Sequence, residues 1–267
     1  MLDSDSGSGS GRRRLTILTL FVVVSGGCVS RSDDASDTAH LTARGSAAGG
    51  ERYVPSGDEG LGASIAIVVD NSGSMRNPAG DDARPKYLVA RQALEDMLAS
   101  TDSFVAKQPG FPINVGLYQF ASGVSPLVPV KRYDRAELTQ ALNSMAAPNG
   151  GTAIGRAMEA ARADLYRAGT IRKYILVVTD GENTDGPAPD AVAREIDHRS
   201  EGAVRMYFVA FDVDAKKFGF LRDVHGEVLG ARNGVALRAS LDTIYRGKIL
   251  AEATDAGETL PQRTKKP

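Results

Sequence analysis

Five side chains with oxygen donors occur where a small cation could be bound. Asp70, Ser72 and Ser74 alternate along the segment DNSGS, Asp180 follows the apolar segment ILVVT, and Thr152 follows two glycines in NGGTAIG. Carboxylates and hydroxyls are ligand types that hard cations prefer. The chain has one cysteine and three histidines far apart, so a site of several thiolates is excluded and one rich in imidazole is not expected. Any metal here should be bound through oxygen.

Four nearly continuous apolar segments must position these donors. They cover residues 64–70, 113–120, 173–180 and 204–211, and their aliphatic character on both faces predicts buried parallel strands. The segments after Pro85 and from Ile154 have the apolar period of helices. Alternation of strand and helix predicts an α/β fold with a doubly wound, mostly parallel central sheet flanked by helices on both faces.

Weaker patterns predict the remaining elements. Residues 124–130 contain two prolines, which predicts a strand at the edge of the sheet because proline donates no hydrogen bond to a neighbouring strand. A short helix is expected over residues 134–145. A last strand over residues 227–231 and a closing helix over residues 237–251 complete the predicted order.

The charge balance restricts the possible partners. The 267 residues include 32 basic and 33 acidic side chains, so no excess of cations is available to neutralise phosphates and nucleic acid is not an expected partner. A content of 42% hydrophobic and 24% charged residues is typical of a globular protein. It excludes a wholly disordered chain and a multi-span membrane protein.

The first 28 residues have the order of a secretory signal. Three arginines, residues 12–14, precede an apolar segment over residues 15–24 that is short for a transmembrane helix, and small residues lead to Cys28. The ending SGGC resembles the lipobox of bacterial lipoproteins. That resemblance implies cleavage after residue 27, lipidation of Cys28, and a location outside the cytoplasm, in the periplasm or at the cell surface. An uncleaved short anchor, or a plain signal peptide with an incidental cysteine, is the alternative.

The domain organisation follows from composition. We expect a signal peptide over residues 1–27, a flexible tether rich in Ser, Asp, Ala and Gly over residues 28–60, a folded domain over residues 61–253 and a loose tail over residues 254–267. In a doubly wound sheet, ligands lie outside the carboxyl ends of the strands. The five oxygen-bearing side chains occupy such ends or the start of a helix, so we expect them to surround one small cation.

The same residues resemble those of a known family. DxSxS at Asp70, Ser72 and Ser74, the threonine of GGTAIG at Thr152 and the aspartate of VVTDGEN at Asp180 resemble a von Willebrand factor A domain with a metal-ion-dependent adhesion site. The resemblance implies a Rossmann-like fold with one antiparallel edge strand. It also implies a bound Mg²⁺, with Mn²⁺ or Ca²⁺ as alternatives, held directly by the hydroxyls and through water by the aspartates.

That resemblance implies an interaction module that is not an enzyme. In the family, an Asp or Glu of a protein partner completes the coordination of the ion. Two other functions remain open: a structural subunit of an envelope assembly that docks without metal, and an aspartyl phosphotransferase. The latter resembles DxD at this point, where this chain has Ser72 and lacks the second acid.

Each candidate residue also has a purely structural alternative. Asp70 and Asp180 are suited to turns, Thr152 to a helix N-cap, and the two serines to local hydrogen bonds in a loop. Four nearby acids either tune the ion or form a rim for a basic partner, or are simply solvated; they are Asp81, Asp82, Glu182 and Asp185.

Overall fold

Six strands form the central sheet in the computed structural model, which describes residue 53 and residues 59–252. Two further short strands, β2 and β3, form a separate antiparallel pair. The strand bounds are β1 Gly60–Asp70, β2 Pro78–Ala79, β3 Asp82–Pro85, β4 Ile113–Phe120, β5 Val124–Arg132, β6 Thr170–Thr179, β7 Val204–Phe211 and β8 Glu227–Ala231.

The order of the central sheet is β5-β4-β1-β6-β7-β8. All its neighbouring pairs are parallel except β4 and β5, which are antiparallel. The predicted fold class, with its mostly parallel sheet and one antiparallel edge strand, is therefore confirmed.

Within residues 59–252, five α-helices cover the sheet. They are α1 Lys86–Lys107, α2 Arg135–Asn143, α3 Ile154–Tyr166, α4 Pro189–Ser200 and α5 Gly234–Ile244, the last continued by a π-helix over Tyr245–Leu250. None of the helices within residues 59–252 is long and apolar enough to cross a membrane.

The core has two layers because β1 is buried on both faces. Ile65 and Ile67 pack on the face that holds Leu94 of α1, whereas Val68 packs on the opposite face with Met158 of α3. Helices on both faces explain why the strand sequences lack a polar side.

The chain changes direction in the sheet beside β1. After β1 it continues to β4 on one side, and it returns to β6 on the other side. Such a switch point opens a crevice at the carboxyl ends of the two adjoining strands. Here those ends are Asp70 of β1 and Thr179 of β6.

Several elements differ from the sequence predictions. The β2–β3 pair, α4 and a 3-10 helix over Ala215–Val224 were not predicted. The closing helix begins at Gly234 instead of residue 237, because Asn233 caps it by accepting the N–H of Ala236. Cys28, the signal peptide and the tail after residue 253 lie outside the described residues.

A buried ion pair lies at the opposite end of β6 from Thr179. Lys173 has no exposed side-chain surface, and its ammonium donates to Glu59 at 2.9 Å and to the hydroxyl of Tyr53 at 2.8 Å. Burial lowers the pKa of Lys173, and Glu59 opposes that effect. The sequence contained no local signal for this contact, since Glu59 and Lys173 are 114 positions apart.

We predict that Glu59→Gln lowers the free energy of unfolding by about 2 kcal/mol or more, because it leaves the buried ammonium of Lys173 without its counter-charge. Urea denaturation at pH 7 followed by circular dichroism measures this effect. The matched control is Glu159→Gln on the exposed surface of α3, for which a change within about 0.5 kcal/mol is expected. Equal losses in the two variants would contradict a structural role for the pair.

Candidate metal centre

Asp70 is held rigidly at the carboxyl end of β1. Its side chain is fully buried, Oδ1 accepts the backbone N–H of Ser72 at 2.8 Å, and Oδ2 accepts the hydroxyl of Thr179 at 2.5 Å. The first bond is an Asx turn that folds the chain back over the strand end. The second ties the end of β1 to the end of β6.

Ser74 joins the first loop to the second. Its hydroxyl donates to Asp180 Oδ1 at 2.7 Å and lies 3.1 Å from the hydroxyl oxygen of Ser72. Asp180 directly follows β6, and its side chain has no exposed surface. Two hydroxyls and one carboxylate from segments 106 positions apart therefore form one hydrogen-bonded group.

The loop that carries Thr152 is fixed by hydrogen bonds from two other loops. The N–H of Gly151 donates to Ser122 Oγ at 2.8 Å, and the N–H of Thr152 donates to Thr184 Oγ1 at 2.8 Å. The carbonyl of Thr152 in turn accepts the N–H of Thr184 at 2.8 Å. The loop is therefore held by the backbone groups of Gly151 and Thr152, and these contacts do not use the Thr152 hydroxyl.

The hydroxyls of Thr152 and Ser74 lie on the same side of Gly181. A methyl group on Gly181 would be 3.5 Å from Thr152 Oγ1 and 4.0 Å from Ser74 Oγ. Thr152 is 5% exposed, so it is largely buried at this edge of the sheet. All five side chains singled out in the sequence are thus at the carboxyl ends of β1 and β6 or on the loop beside them.

One of the structural alternatives is not observed. The N-cap of α3 is Ala153, with no side-chain capping bond, so the helix-cap alternative for Thr152 is wrong. The alternative for the two serines, local hydrogen bonds in a loop, is observed, because their hydroxyl oxygens lie 3.1 Å apart.

Lys86 and Asp212 complete the charge of the site, and the sequence reasoning missed both. The Lys86 ammonium lies 3.0 Å from Asp180 Oδ2 and 2.8 Å from Asp212 Oδ2, and its side chain is 7% exposed. Burial acts against its positive charge, but hydrogen bonds to Asp212 and Asp180 outweigh burial and raise the pKa of Lys86. Asp180 is therefore shared between a hydroxyl on one oxygen and an ammonium on the other.

A repeated pattern in the sequence could have identified Asp212. Aspartate ends or directly follows three strands of the sheet at the same edge, as Asp70 in VVD, Asp180 in VTD and Asp212 in AFD. For Lys86 the signal was a cation in the first turn of a helix, where the helix dipole disfavours positive charge. A cation there needs acidic partners.

Burial dominates the titration of Asp70. It raises the pKa of Asp70 to about 6 from 3.8, while hydrogen bonds from Ser72 and Thr179 act in the opposite direction. Because the folded state then binds the proton more tightly than the unfolded state, stability falls as the pH rises from 3.8 to about 6. A nearby positive charge would offset this cost of ionising Asp70.

Three of the four nearby acids have contacts with neighbouring residues. Asp82 forms an ion pair with Arg84 at 2.6 Å, and Glu182 pairs with Lys217. Asp185 donates its N–H to the carbonyl of Thr152. Pairing with local cations explains Asp82 and Glu182 without a ligand.

The donor set fits a hard divalent cation. Among residues 59–252, no group of three or more Asp, Glu, His or Cys side chains is arranged to hold a metal ion. The site combines two carboxylates with three hydroxyls, an oxygen-only set suited to Mg²⁺.

A comparison with protein families matches part of the chain. The family profile of the von Willebrand factor type A domain matches residues 65–182, a segment that includes all five candidate ligands. No match was found among curated proteins.

Several solved structures have the same fold at low sequence identity. The D319A mutant of the PilB minor pilin from Streptococcus sanguinis has a TM-score of 0.60 and 14% identity over 74% of this chain and 64% of that one. The pilus adhesin SpaC from Lactobacillus rhamnosus GG has a TM-score of 0.56 and 15% identity over 72% and 31%. A von Willebrand factor type A protein from Catenulispora acidiphila has a TM-score of 0.53 and 21% identity over 69% and 42%.

The chain spans less than two thirds of each of these three proteins. At such identities the likeness shows the fold alone. Residues 65–182 thus match the von Willebrand factor type A domain, and the described sheet and helices have the Rossmann-like fold of that domain.

Proposed function

We propose that this protein is a divalent-cation-dependent protein-interaction or adhesion module. Its candidate ligands are Asp70, Ser72, Ser74, Thr152 and Asp180, and its partner presents an Asp or Glu side chain. The match to a von Willebrand factor type A domain and the likeness to a pilus adhesin and a minor pilin support an interaction module.

The observation that carries the metal proposal is the position of the Ser74 hydroxyl. It lies between Ser72 Oγ at 3.1 Å and Asp180 Oδ1 at 2.7 Å, on the same side of Gly181 as the hydroxyl of Thr152. Two hydroxyl oxygens and one oxygen of Asp180 therefore lie within hydrogen-bond distance of one another, with the Thr152 hydroxyl nearby and the Lys86 ammonium on the other oxygen of Asp180. Neither Ser72 nor Thr152 caps a helix, so helix capping does not account for their positions.

The mixture of neutral and charged donors supports recognition of an acidic partner. Hydroxyls carry no charge, and both oxygens of Asp70 are already occupied by hydrogen bonds from Ser72 and Thr179. A bound Mg²⁺, or Mn²⁺ or Ca²⁺ in its place, would supply a positive charge that accepts a carboxylate oxygen from outside. The protein's side chains would hold that charge at the open edge of the sheet.

The same geometry disfavours the phosphotransferase alternative. A nucleophilic Asp70 would need an accessible oxygen, and its side chain is fully buried. The position that would hold the second acid is Ser72, whose hydroxyl is a poor proton donor or acceptor near neutral pH. We therefore propose a function without catalysis.

The location is part of the proposal. The basic and apolar residues before Cys28 support export and a lipid anchor at Cys28, which would hold the folded domain outside the cytoplasm, in the periplasm or at the cell surface.

We predict that Ser74→Ala weakens Mg²⁺ binding at least about tenfold, because it removes the hydroxyl that joins the two loops. Isothermal titration calorimetry of the purified chain with MgCl₂ measures the effect. Ser103→Ala is the matched control, because that hydroxyl bonds only a carbonyl of α1 on the exposed surface. Unchanged affinity in Ser74→Ala would remove the assigned site.

We further predict that a chelator releases the protein's partner. Crosslinking and pull-down from intact membranes, with and without EDTA, should recover the partner only when divalent cations are present and the chain carries Ser74. Recovery that is insensitive to both EDTA and Ser74→Ala would favour the alternative of a structural subunit that docks without metal.

A further inference from the structure

The ammonium of Lys86 is a resident cation next to the candidate metal ligands. It lies 3.0 Å from Asp180 Oδ2, while Asp180 Oδ1 accepts the Ser74 hydroxyl at 2.7 Å. One carboxylate is thus divided between a fixed internal cation and the oxygen cluster. The side chain of Lys86 is 7% exposed, so solvent screens its contact with Asp180 weakly.

Asp212 holds the other side of this ammonium. Its Oδ2 lies 2.8 Å from Lys86 Nζ, and its side chain is 37% exposed. The backbone of Asp212 has a φ of 56°, a left-handed conformation that few non-glycine residues adopt. That conformation follows the end of β7 and places a third carboxylate near the site without making it one of the candidate ligands.

We infer that Lys86 sets the charge of the candidate metal centre, limiting its affinity for the divalent cation while keeping that cation attractive to an acidic partner. The inference rests on the proposed function and concerns the regulation of the same site. When ionised, Asp70, Asp180 and Asp212 together with Lys86 give a net charge of −2, which balances a divalent ion.

The physical reason is competition for the charge of Asp180. Part of the field of that carboxylate is compensated by Lys86, so less of it acts on a cation beside Ser74. Repulsion between the ammonium and the cation weakens metal binding. Asp180 then compensates only part of the positive charge of the bound cation. The remaining positive charge attracts a carboxylate from a partner. Lys86 is thus a positioning and tuning residue, and a purely structural Lys86 would not produce opposite effects on the two ligands.

Four proteins that represent three different net charges at the site test this inference. Removing the ammonium with Lys86→Met leaves three carboxylates, Asp212→Asn leaves two carboxylates against the ammonium, and the double variant restores the original balance. The expected order of Mg²⁺ affinity is Lys86→Met tightest, wild type and double variant within about threefold of each other, and Asp212→Asn weakest. Each single change should shift affinity by about fivefold or more in its own direction.

A second measurement reports the attraction for acids. The proteins are loaded with Mn²⁺, and acetate is titrated while the water proton relaxation rate is followed. Acetate should bind Lys86→Met about threefold or more weakly than wild type, although the metal itself binds more tightly. Thermal unfolding in EDTA and in Mg²⁺ checks folding, and Mg²⁺ should raise the melting temperature of Lys86→Met more than that of wild type.

The outcomes separate this inference from the proposed function. Absence of Mg²⁺ binding in wild type would overturn both. Mg²⁺ binding that is lost in Ser74→Ala but equal in wild type and Lys86→Met would overturn the role of Lys86 alone. Mg²⁺ binding that is weaker in both single variants and weaker still in the double variant would show that the ion pairs of Lys86 only support the fold. That result would also overturn the role of Lys86 in setting the charge of the site.

Discussion

The hydrogen bond from Ser74 to Asp180 is the interaction on which the site depends. It connects two loops that are far apart in sequence and that leave the sheet from the adjoining strands β1 and β6. Parallel pairing of these strands places their carboxyl ends side by side, and the reversal of strand order beside β1 keeps that edge open. The hydrogen bond from the Thr179 hydroxyl to Asp70 also connects the carboxyl ends of β1 and β6.

Charge at this junction is balanced over a larger region than the candidate ligands. A fully buried Asp70 and a fully buried Asp180 side chain would be costly without compensation, and Lys86 supplies one positive charge from the first turn of α1. Asp212 in turn compensates Lys86 from the end of β7. Ion pairs and hydrogen bonds thus connect the carboxyl ends of β1, β6 and β7 with the first residue of α1.

Much of the fold could be predicted from sequence because its signals are local. The apolar strands at residues 113–120 and 204–211 match β4 and β7 residue for residue, since aliphatic residues on both faces leave few other structures possible. The order of donors also predicted where Asp70 and Asp180 would lie. The bridge from Lys86 to Asp180 could not be predicted in the same way, because it joins positions 94 apart and the sequence does not indicate which acidic residue is the partner of Lys86. Tyr53 and Glu59 were assigned to a tether for the same reason, as their contact with Lys173 depends on tertiary structure.

The central claim is that a divalent cation binds among the hydroxyls of Ser72, Ser74 and Thr152 at the carboxyl ends of β1 and β6. An anomalous difference map from a crystal of the protein soaked in Mn²⁺ tests this claim most directly. We expect one strong peak within about 2.3 Å of these hydroxyl oxygens, with no peak at the same place in a crystal of Ser74→Ala. A peak elsewhere on the molecule, or none at a manganese concentration that saturates other oxygen-only sites, would contradict the account.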